Sequence, residues 1–296
     1  MAIAKRVFLF ILTNIAVILT INIALNLISM FLGVSLDPAS YSGLILFASV
    51  WGMGGAFISL WLSKWMAKMA MGVQVISPST RNPHEREILE MVYQIAKRAG
   101  LEKMPEVGIY DSPEINAFAT GPSRNNALVA LSTGLLHHMN RDEVEGVIGH
   151  EVAHIANGDM VTMTLIQGVV NAFVMFFSRL LARVIAANAN ENSRHVVYLG
   201  LTILFDLLFG LLGSMVVAYF SRVREYRADK GGARYAGRQK MIAGLRRLQS
   251  VFDSLEPDDS SVATLKISSR PSGILALFST HPPLEERIRR LEMEVI

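Results

Sequence analysis

The residues with the clearest chemical potential are two histidines four positions apart, His150 and His154, with Glu151 directly after the first. On a helix, positions i and i+4 share one face, so both imidazoles can bind a single metal ion. Glu151 is rotated by roughly 100° from His150, so its carboxylate lies beside the ion, where it can take a proton from a water molecule. The pattern is typical of zinc metalloproteases, and a chance pair of surface or core histidines is the alternative.

The residues before this motif predict the helix that it needs. Asn140 suits an N-cap, Asp142 and Glu143 place acids in the first turn, and apolar residues follow at helical spacing. A catalytic zinc site also requires a third protein ligand, which the motif itself does not contain.

A charged segment farther along the chain, residues 221–229, can supply that ligand. Its arginines alone would suit a basic patch beside a membrane. Glu225 and Asp229, however, are again spaced i and i+4 and share a helical face. One carboxylate can therefore bind the metal while the other accepts a histidine N–H.

The composition predicts a membrane protein. The chain has 296 residues, of which 51% are hydrophobic, and a mean hydropathy of +0.37, which is too apolar for an ordinary soluble domain of this length. The apolar residues are concentrated in four segments, 7–34, 41–62, 160–178 and 196–220, and each segment is predicted to be a transmembrane helix. Lysines and arginines flank the outer ends of the first pair and are absent from its connecting turn, which predicts that both ends are cytoplasmic.

Two details of these segments carry further expectations. Gly55, Ser59 and Ser63 recur at every fourth position, as on helix faces that pack closely. In the second hairpin, the arginines between the third and fourth segments oppose the positive-inside rule, so this hairpin either spans the membrane or is re-entrant.

Asp206 is a carboxylate deep in the fourth segment. It precedes Glu225 by 19 residues, about 28 Å along a helix, so it cannot reach the same ion. We expect it to pair with Arg179, Arg183 or nearby threonines rather than to carry protons.

The remaining sequence predicts a zincin-like α+β domain in two parts. Residues 73–159 predict an amphipathic helix, a small β-sheet with strands at 107–110, 115–120 and 127–131, and then the metal-binding helix. Residues 221–296 contain the carboxylate pair and two amphipathic helices at 241–251 and 284–295. The expected fold is thus a mainly α membrane protein with domains 1–72, 73–159, 160–220 and 221–296.

Composition also excludes other classes. The chain has no cysteine, which excludes disulfides and iron–sulfur sites. Its net charge of +3 and isoelectric point of about 9.2 reflect membrane-flanking lysines and arginines, so no nucleic-acid partner is expected. The oligomeric state cannot be derived from the sequence.

These motifs together resemble the HtpX-type membrane zinc metalloproteases, relatives of the CAAX prenyl proteases. In that family a His-Glu-x-x-His helix is followed by a transmembrane hairpin and a Ser-Arg-x-x-Glu-x-x-Ala-Asp segment, which here ends at Asp229. The resemblance spans nearly the whole chain. It implies one Zn²⁺ per chain bound by His150, His154 and Glu225, with Glu151 as the catalytic base and Asp229 orienting a ligand.

The resemblance implies further roles and a task. The edge that binds substrate would be Asn116, Ala117, Phe118 and Ala119, although such a strand can also simply cover a core. His281, in a Thr-His-Pro-Pro motif, would stabilise the oxyanion, and a turn-forming histidine is the alternative.

The implied task is the hydrolysis of misfolded membrane proteins or unfolded polypeptides at the cytoplasmic face of the bacterial inner membrane. Two alternatives remain. A CAAX-type processing protease would enclose the site within more membrane helices than the four predicted here. A non-catalytic membrane adaptor would hold zinc with four protein ligands rather than three.

Overall fold

A computed structural model describes residues 19–33 except 24, 29 and 32, residues 40–254, and residues 277–293. The predicted segment 7–34 therefore lies mostly outside the described residues, apart from a short apolar helix at Leu19–Ile28. The chain divides into two compact units, Met1–Leu60 with Thr162–Val217, and Trp61–Val161 with Ala218–Ile296.

The elements from residue 40 onward are mainly helical. In chain order they are α1 (Tyr41–Met71), β1 (Gln74–Val75), α2 (Pro83–Arg98), β2 (Glu106–Tyr110), β3 (Ala117–Ser123), β4 (Asn126–Ser132), α3 (Thr133–His138), α4 (Arg141–Asn157), α5 (Asp159–Ala186), α6 (Arg194–Tyr235), α7 (Arg238–Ser254) and α8 (Leu284–Met293).

Helices α1, α5 and α6 are each long and apolar enough to cross a membrane. They are the three candidate membrane helices of the described chain. Helix α6 continues without a break from its apolar part through the charged run at 221–229.

Small residues bring the helices of the first unit together. A Cβ on Gly52 would lie 2.5 Å from Ala172 Cα, so α1 and α5 are in backbone contact there. Among the described residues, nothing lies within 4 Å of a Cβ on Gly55, so the predicted close approach is not seen at that position. Helix α5 approaches at Gly52 instead, one turn earlier.

The carboxylate of Asp206 is paired inside the same unit. Arg179 Nη1 lies 3.5 Å from Asp206 Oδ1, and the Arg179 guanidinium lies 5.8 Å from the centroid of the Phe47 ring. The predicted pairing of Asp206 with an arginine of the preceding helix is therefore confirmed.

The second unit contains a four-stranded sheet in the order β1-β2-β4-β3. Strands β2 and β4 are parallel, and the other two pairs are antiparallel. Strand β4 is apolar at consecutive positions because both of its faces are covered: Val129 and Leu131 pack with the main core, while Leu128 and Ala130 pack on the opposite face. Strand β3 lies at the edge of this sheet.

The ends of β3 differ from the prediction. The glycine–proline pair at 121–122 is typical of a turn, but the strand continues through it to Ser123. Its register shifts between Thr120 and Ser123, where Gly121 has a φ of +145°. Glycine adopts this conformation readily, and a proline is tolerated in an edge strand because it need not donate to a ladder. The sequence signals of a turn here encode a bulge.

Helix α4, which carries the histidine motif, begins as predicted. Asn140 Oδ1 accepts from Glu143 N at 3.0 Å, and Glu143 Oε2 accepts from Asn140 N at 2.8 Å, which completes a capping box. Such an N-cap is worth about 1 kcal/mol. The helix ends at Gly158, whose φ of 70° is left-handed.

Candidate metal centre

Helices α4 and α6 bring three side chains together in the second unit. The Nε2 atoms of His150 and His154 are 3.1 Å apart. His150 Nε2 lies 3.4 Å from Glu225 Oε2, and His154 Nε2 lies 3.4 Å from Glu225 Oε1. Both histidines are 8% exposed and Glu225 is 1% exposed. All three residues offer ligand atoms within 4.8 Å of one another.

This arrangement fits a zinc ion. Two ligand atoms bound tetrahedrally at zinc distances lie about 3.4 Å apart, which is close to the three separations in the site. Glu225 Oε2 is also buried and accepts no hydrogen bond in favourable geometry from the described chain. His281 Nδ1 and His150 Nε2 lie 3.0 and 3.4 Å from this oxygen, and a cation held between the three ligands would be a stronger partner for it.

Glycines explain how α6 comes close enough to α4. A Cβ on Gly232 would lie 2.9 Å from His150 N, and a Cβ on Gly149 would lie 3.1 Å from Gly232 O. The two helix backbones are therefore in direct contact beside the site. This contact brings Glu225 to two histidines that are distant from it in sequence.

Each histidine is held by a carboxylate through its other ring nitrogen. His150 Nδ1 lies 3.0 Å from Asp229 Oδ1, and His154 Nδ1 lies 2.7 Å from Asp159 Oδ2. In neutral imidazoles that donate these hydrogen bonds, both Nε2 lone pairs are free to bind metal. The predicted position of Asp229 behind a histidine is thus the one that the structure gives.

Sequence reasoning missed Asp159. The signal was the glycine before it: Gly158 ends α4 in a left-handed conformation, and α5 begins at the next residue. The chain therefore leaves the path of α4 at Gly158, and Asp159 contacts His154 in the last turn of α4. Asp159 is 5% exposed, which is unusual for a helix-terminal aspartate without a partner of this kind.

Sequence reasoning also missed Arg287. Its Nη2 and Nε donate to Asp229 Oδ1 and Oδ2 at 2.6 and 2.8 Å, a bidentate pair, and the residue is 6% exposed. A signal was present, because Arg287 lies on the face of α8 that also buries Ile288 and Leu291. A buried arginine on an apolar helix face indicates that a buried carboxylate partner lies nearby.

The surrounding carboxylates change the basicity of the histidines. Burial by itself would lower the pKa of His150, but its contacts with Asp229 and Glu225 raise that pKa to about 9. Burial opposes the shift at His154 as well, and contacts with Asp159 and Glu225 raise its pKa. A metal ion binding here must therefore displace protons.

Glu151 lies next to these ligands on α4 but differs from them in its contacts. It is half-buried, and its side chain makes no hydrogen bond or ion pair with the part of the chain that the structure describes. Its carboxylate is therefore available to a water molecule, as a general base requires.

The two remaining predicted groups lie in the same unit. His281 Nδ1 lies 3.0 Å from Glu225 Oε2, and the His281 side chain is 62% exposed. Strand β3 contacts α4. Ala117 and Ala119 pack toward the core on the α4 side, while Phe118 packs against Tyr110 on the opposite face. Asn116, just before the strand, is exposed.

A zinc-type ligand set, an adjacent unpaired glutamate and long apolar helices define a membrane metalloprotease. The chain belongs to peptidase family M48, whose family model matches residues 82–295. The family expected from the sequence motifs is thereby confirmed.

Named relatives cover almost the whole chain. The "Protease HtpX homolog" of Bacillus licheniformis is 52% identical, over 97% of this chain and 99% of the relative. The "Protease HtpX homolog" of Bacillus subtilis is 50% identical, over 98% of this chain and 99% of the relative. The "Protease HtpX" of Shewanella oneidensis is 50% identical, over 97% and 99%.

A solved structure shares the fold. The crystal structure of S. mikatae Ste24p matches with a TM-score of 0.63 at 16% sequence identity, covering 98% of this chain and 67% of that protein. At this identity the likeness concerns the fold alone.

Proposed function

We propose that this chain is a zinc-dependent endopeptidase that hydrolyses polypeptides at the cytoplasmic face of a bacterial inner membrane. The observation that carries the proposal is the convergence of His150 Nε2, His154 Nε2 and the Glu225 carboxylate within 4.8 Å. Nitrogen and carboxylate ligands suit Zn²⁺, and three protein ligands leave a coordination position open for chemistry. We expect one ion per chain.

The residues of the chain have separate tasks in this mechanism. When bound, zinc supplies a Lewis acid that polarises the scissile carbonyl and makes water more acidic. Glu151 takes the proton from the attacking water and delivers it to the leaving amine. Asp229 and Asp159 keep the histidines oriented through their Nδ1 atoms.

His281 is the proposed donor to the oxyanion. Its ring reaches Glu225, yet most of its side chain faces solvent, as a group that meets a substrate must. A donor aimed at the developing negative charge lowers the barrier, and the loss of one such donor costs roughly 10²–10³ in kcat.

The edge of the sheet suits an extended substrate. Strand β3 pairs with β4 on one side only among the described strands, so an added peptide strand can bind its outer edge. The proposed contacts are the backbone groups of residues 116–119. Because Phe118 packs against Tyr110 and the flanking side chains are alanines, the backbone rather than large side chains would hold the substrate.

An extended binding mode favours unfolded segments as substrates, and the membrane helices favour segments of membrane proteins. Quality control of misfolded or damaged membrane proteins is therefore the proposed task. A non-catalytic adaptor is less well supported, since it would not need the unpaired carboxylate of Glu151 beside the ligands.

The proposed topology has four spans, with the second unit in the cytoplasm. Lysines and arginines flank the outer ends of the first predicted pair, which supports cytoplasmic ends. Because His154 and Glu225 belong to one site, the chain between them must cross the membrane an even number of times.

The decisive experiment uses purified full-length protein in detergent with a fluorescently labelled unfolded polypeptide. We expect cleavage that stops when zinc is removed by a chelator and returns when zinc is added back. Cleavage that persists in fully chelated protein would contradict the proposal.

A further inference from the structure

One face of α6 holds a segment that crosses the metal site. We call residues 277–283 the strap; it leads directly into α8. Arg222, Glu225 and Asp229 follow one another on α6 at spacings of three and four residues, so they share this face on successive turns.

Three contacts join this face to the strap and the start of α8, and they follow the same order along both segments. Arg222 Nη1 donates to the carbonyl oxygens of Leu277 at 3.2 Å and Ser279 at 2.6 Å. One turn on, Glu225 Oε2 meets His281 Nδ1. After another turn, Asp229 receives the bidentate pair from Arg287 described above.

The strap is stiff between these contacts. Ser279 Oγ donates to His281 O at 2.7 Å, which closes a short turn. Pro282 and Pro283 have fixed φ values, and the carbonyl of Pro283 accepts from Arg287 N at 3.1 Å to start α8. The position of His281 therefore depends on how the strap is fastened at its two ends.

Arg222 holds the first end of the strap in place. An arginine that only flanked a membrane would not need to be half-buried. It would also not need to donate to two carbonyl oxygens of a segment that is distant in sequence, as Arg222 does. Hydrogen bonds from an ionised donor are roughly twice as strong as neutral ones. At the other end, Arg287 contacts Asp229, which also holds the metal-binding His150. The contacts of Arg222 with the strap, in contrast, include no metal ligand.

The geometry points to Arg222 as a positioning residue of the peptidase reaction: it fixes the strap so that His281 stays beside Glu225 at the metal site. This role rests on the proposed function. Replacing Arg222 frees the first end of the strap, so His281 samples positions away from the reacting carbonyl. Misplacement of a catalytic group by about 1 Å can cost roughly 10²-fold in rate. We expect KM and zinc content to stay constant, because the hydrogen bonds of Arg222 to the strap reach only the carbonyl oxygens of Leu277 and Ser279, and neither residue is a zinc ligand.

The test compares Arg222→Gln, His281→Ala and the double variant in the full-length protein. We expect Arg222→Gln to lower kcat by about 10-fold to 10²-fold with KM and zinc content unchanged. In the His281→Ala background, the same change should cost less than about twofold, because the residue it positions is already gone. Arg222→Lys keeps the positive charge and an N–H donor group, so it should retain part of the kcat that Arg222→Gln loses.

Arg227→Gln is the matched control, since Arg227 is an exposed arginine on the same helix and should keep wild-type kcat. Losses that multiply in the double variant, a wild-type kcat for Arg222→Gln, or a loss of zinc from it would each overturn the assignment. Failure of the proposed function is distinguishable: the wild-type protein would then be inactive, or Glu151→Gln would be fully active.

Discussion

Asp229 contacts both a metal-binding histidine and a buried arginine, so its replacement by alanine should have two separable effects. His150 would lose the acceptor of its Nδ1 proton, which lies 3.0 Å away. Arg287, which is 6% exposed, would lose its bidentate partner. Asp159 offers a comparison, because in the described chain its side chain meets only His154.

The structure gives a magnitude for each effect. Loss of the carboxylate behind a ligand histidine typically weakens metal binding by about 10–100-fold, which we expect for both Asp229→Ala and Asp159→Ala. At about 1.4 kcal/mol per factor of ten, this is roughly 1.4–2.8 kcal/mol. Breaking a buried ion pair costs about 3–5 kcal/mol of folding free energy, and only Asp229→Ala does so, because it leaves Arg287 with its longer contact to Glu225 Oε2 at 3.7 Å.

The assay therefore needs two readouts on the same variants. Zinc affinity is measured by competition with a chromophoric chelator, and stability is measured on chelated protein by denaturant titration in detergent. Adding Arg287→Met to Asp229→Ala should recover stability without recovering zinc affinity. Equal stability of chelated Asp229→Ala and Asp159→Ala, or unchanged zinc affinity in both, would refute the reasoning.

Four further predictions concern the site and the membrane topology. Glu151→Gln should abolish peptide cleavage and retain zinc, because the amide cannot accept the water's proton, whereas His150→Ala should lose both; a zinc-free Glu151→Gln would show that the assigned role is wrong. Because the pKa of His150 is raised to about 9 and zinc needs the neutral ring, apparent zinc affinity should rise by up to about tenfold per pH unit from pH 6.5 to 8.5, and a flat profile in competition titrations would contradict this. The raised pKa also means that the protonated ring of His150 stabilises the metal-free folded protein. This contribution to the free energy of unfolding is complete below pH 6.5 and is lost as the pH rises through 9. In intact cells, a membrane-impermeant maleimide should label Ala39→Cys and not Ser123→Cys, with the reverse in inverted vesicles; labelling of Ser123→Cys from outside would overturn the topology.

The parts of the site that the sequence predicts are those set by local spacing. The i, i+4 pairs on α4 and α6 and the capping box at Asn140 depend only on helix geometry, which a sequence pattern encodes directly. The strap contacts of Arg222 could not be predicted in this way. Each contact joins two residues that are 55 or 57 residues apart in the sequence. No pattern in either segment indicates that it contacts the other.

Turn geometry accounts for the other differences. Asp159 reaches His154 because the left-handed Gly158 ends α4 just before it. The glycine–proline pair at 121–122 is typical of a turn although it lies within β3. In both places the local signal shows that the backbone changes direction. It does not show which tertiary contact the change produces.

The glycine contact between α4 and α6 limits how this site can vary. Both histidines come from α4 and Glu225 comes from α6, so one interhelical distance sets how far the carboxylate lies from the two imidazoles. An alanine at Gly232 would have to move its neighbour by about 0.5 Å, the difference between 2.9 Å and the roughly 3.4 Å of an ordinary contact. Metal–ligand distances vary within only about 0.2 Å. Small changes at this contact should therefore not tune metal affinity gradually, because a single added methyl group already exceeds the tolerance of the coordination geometry.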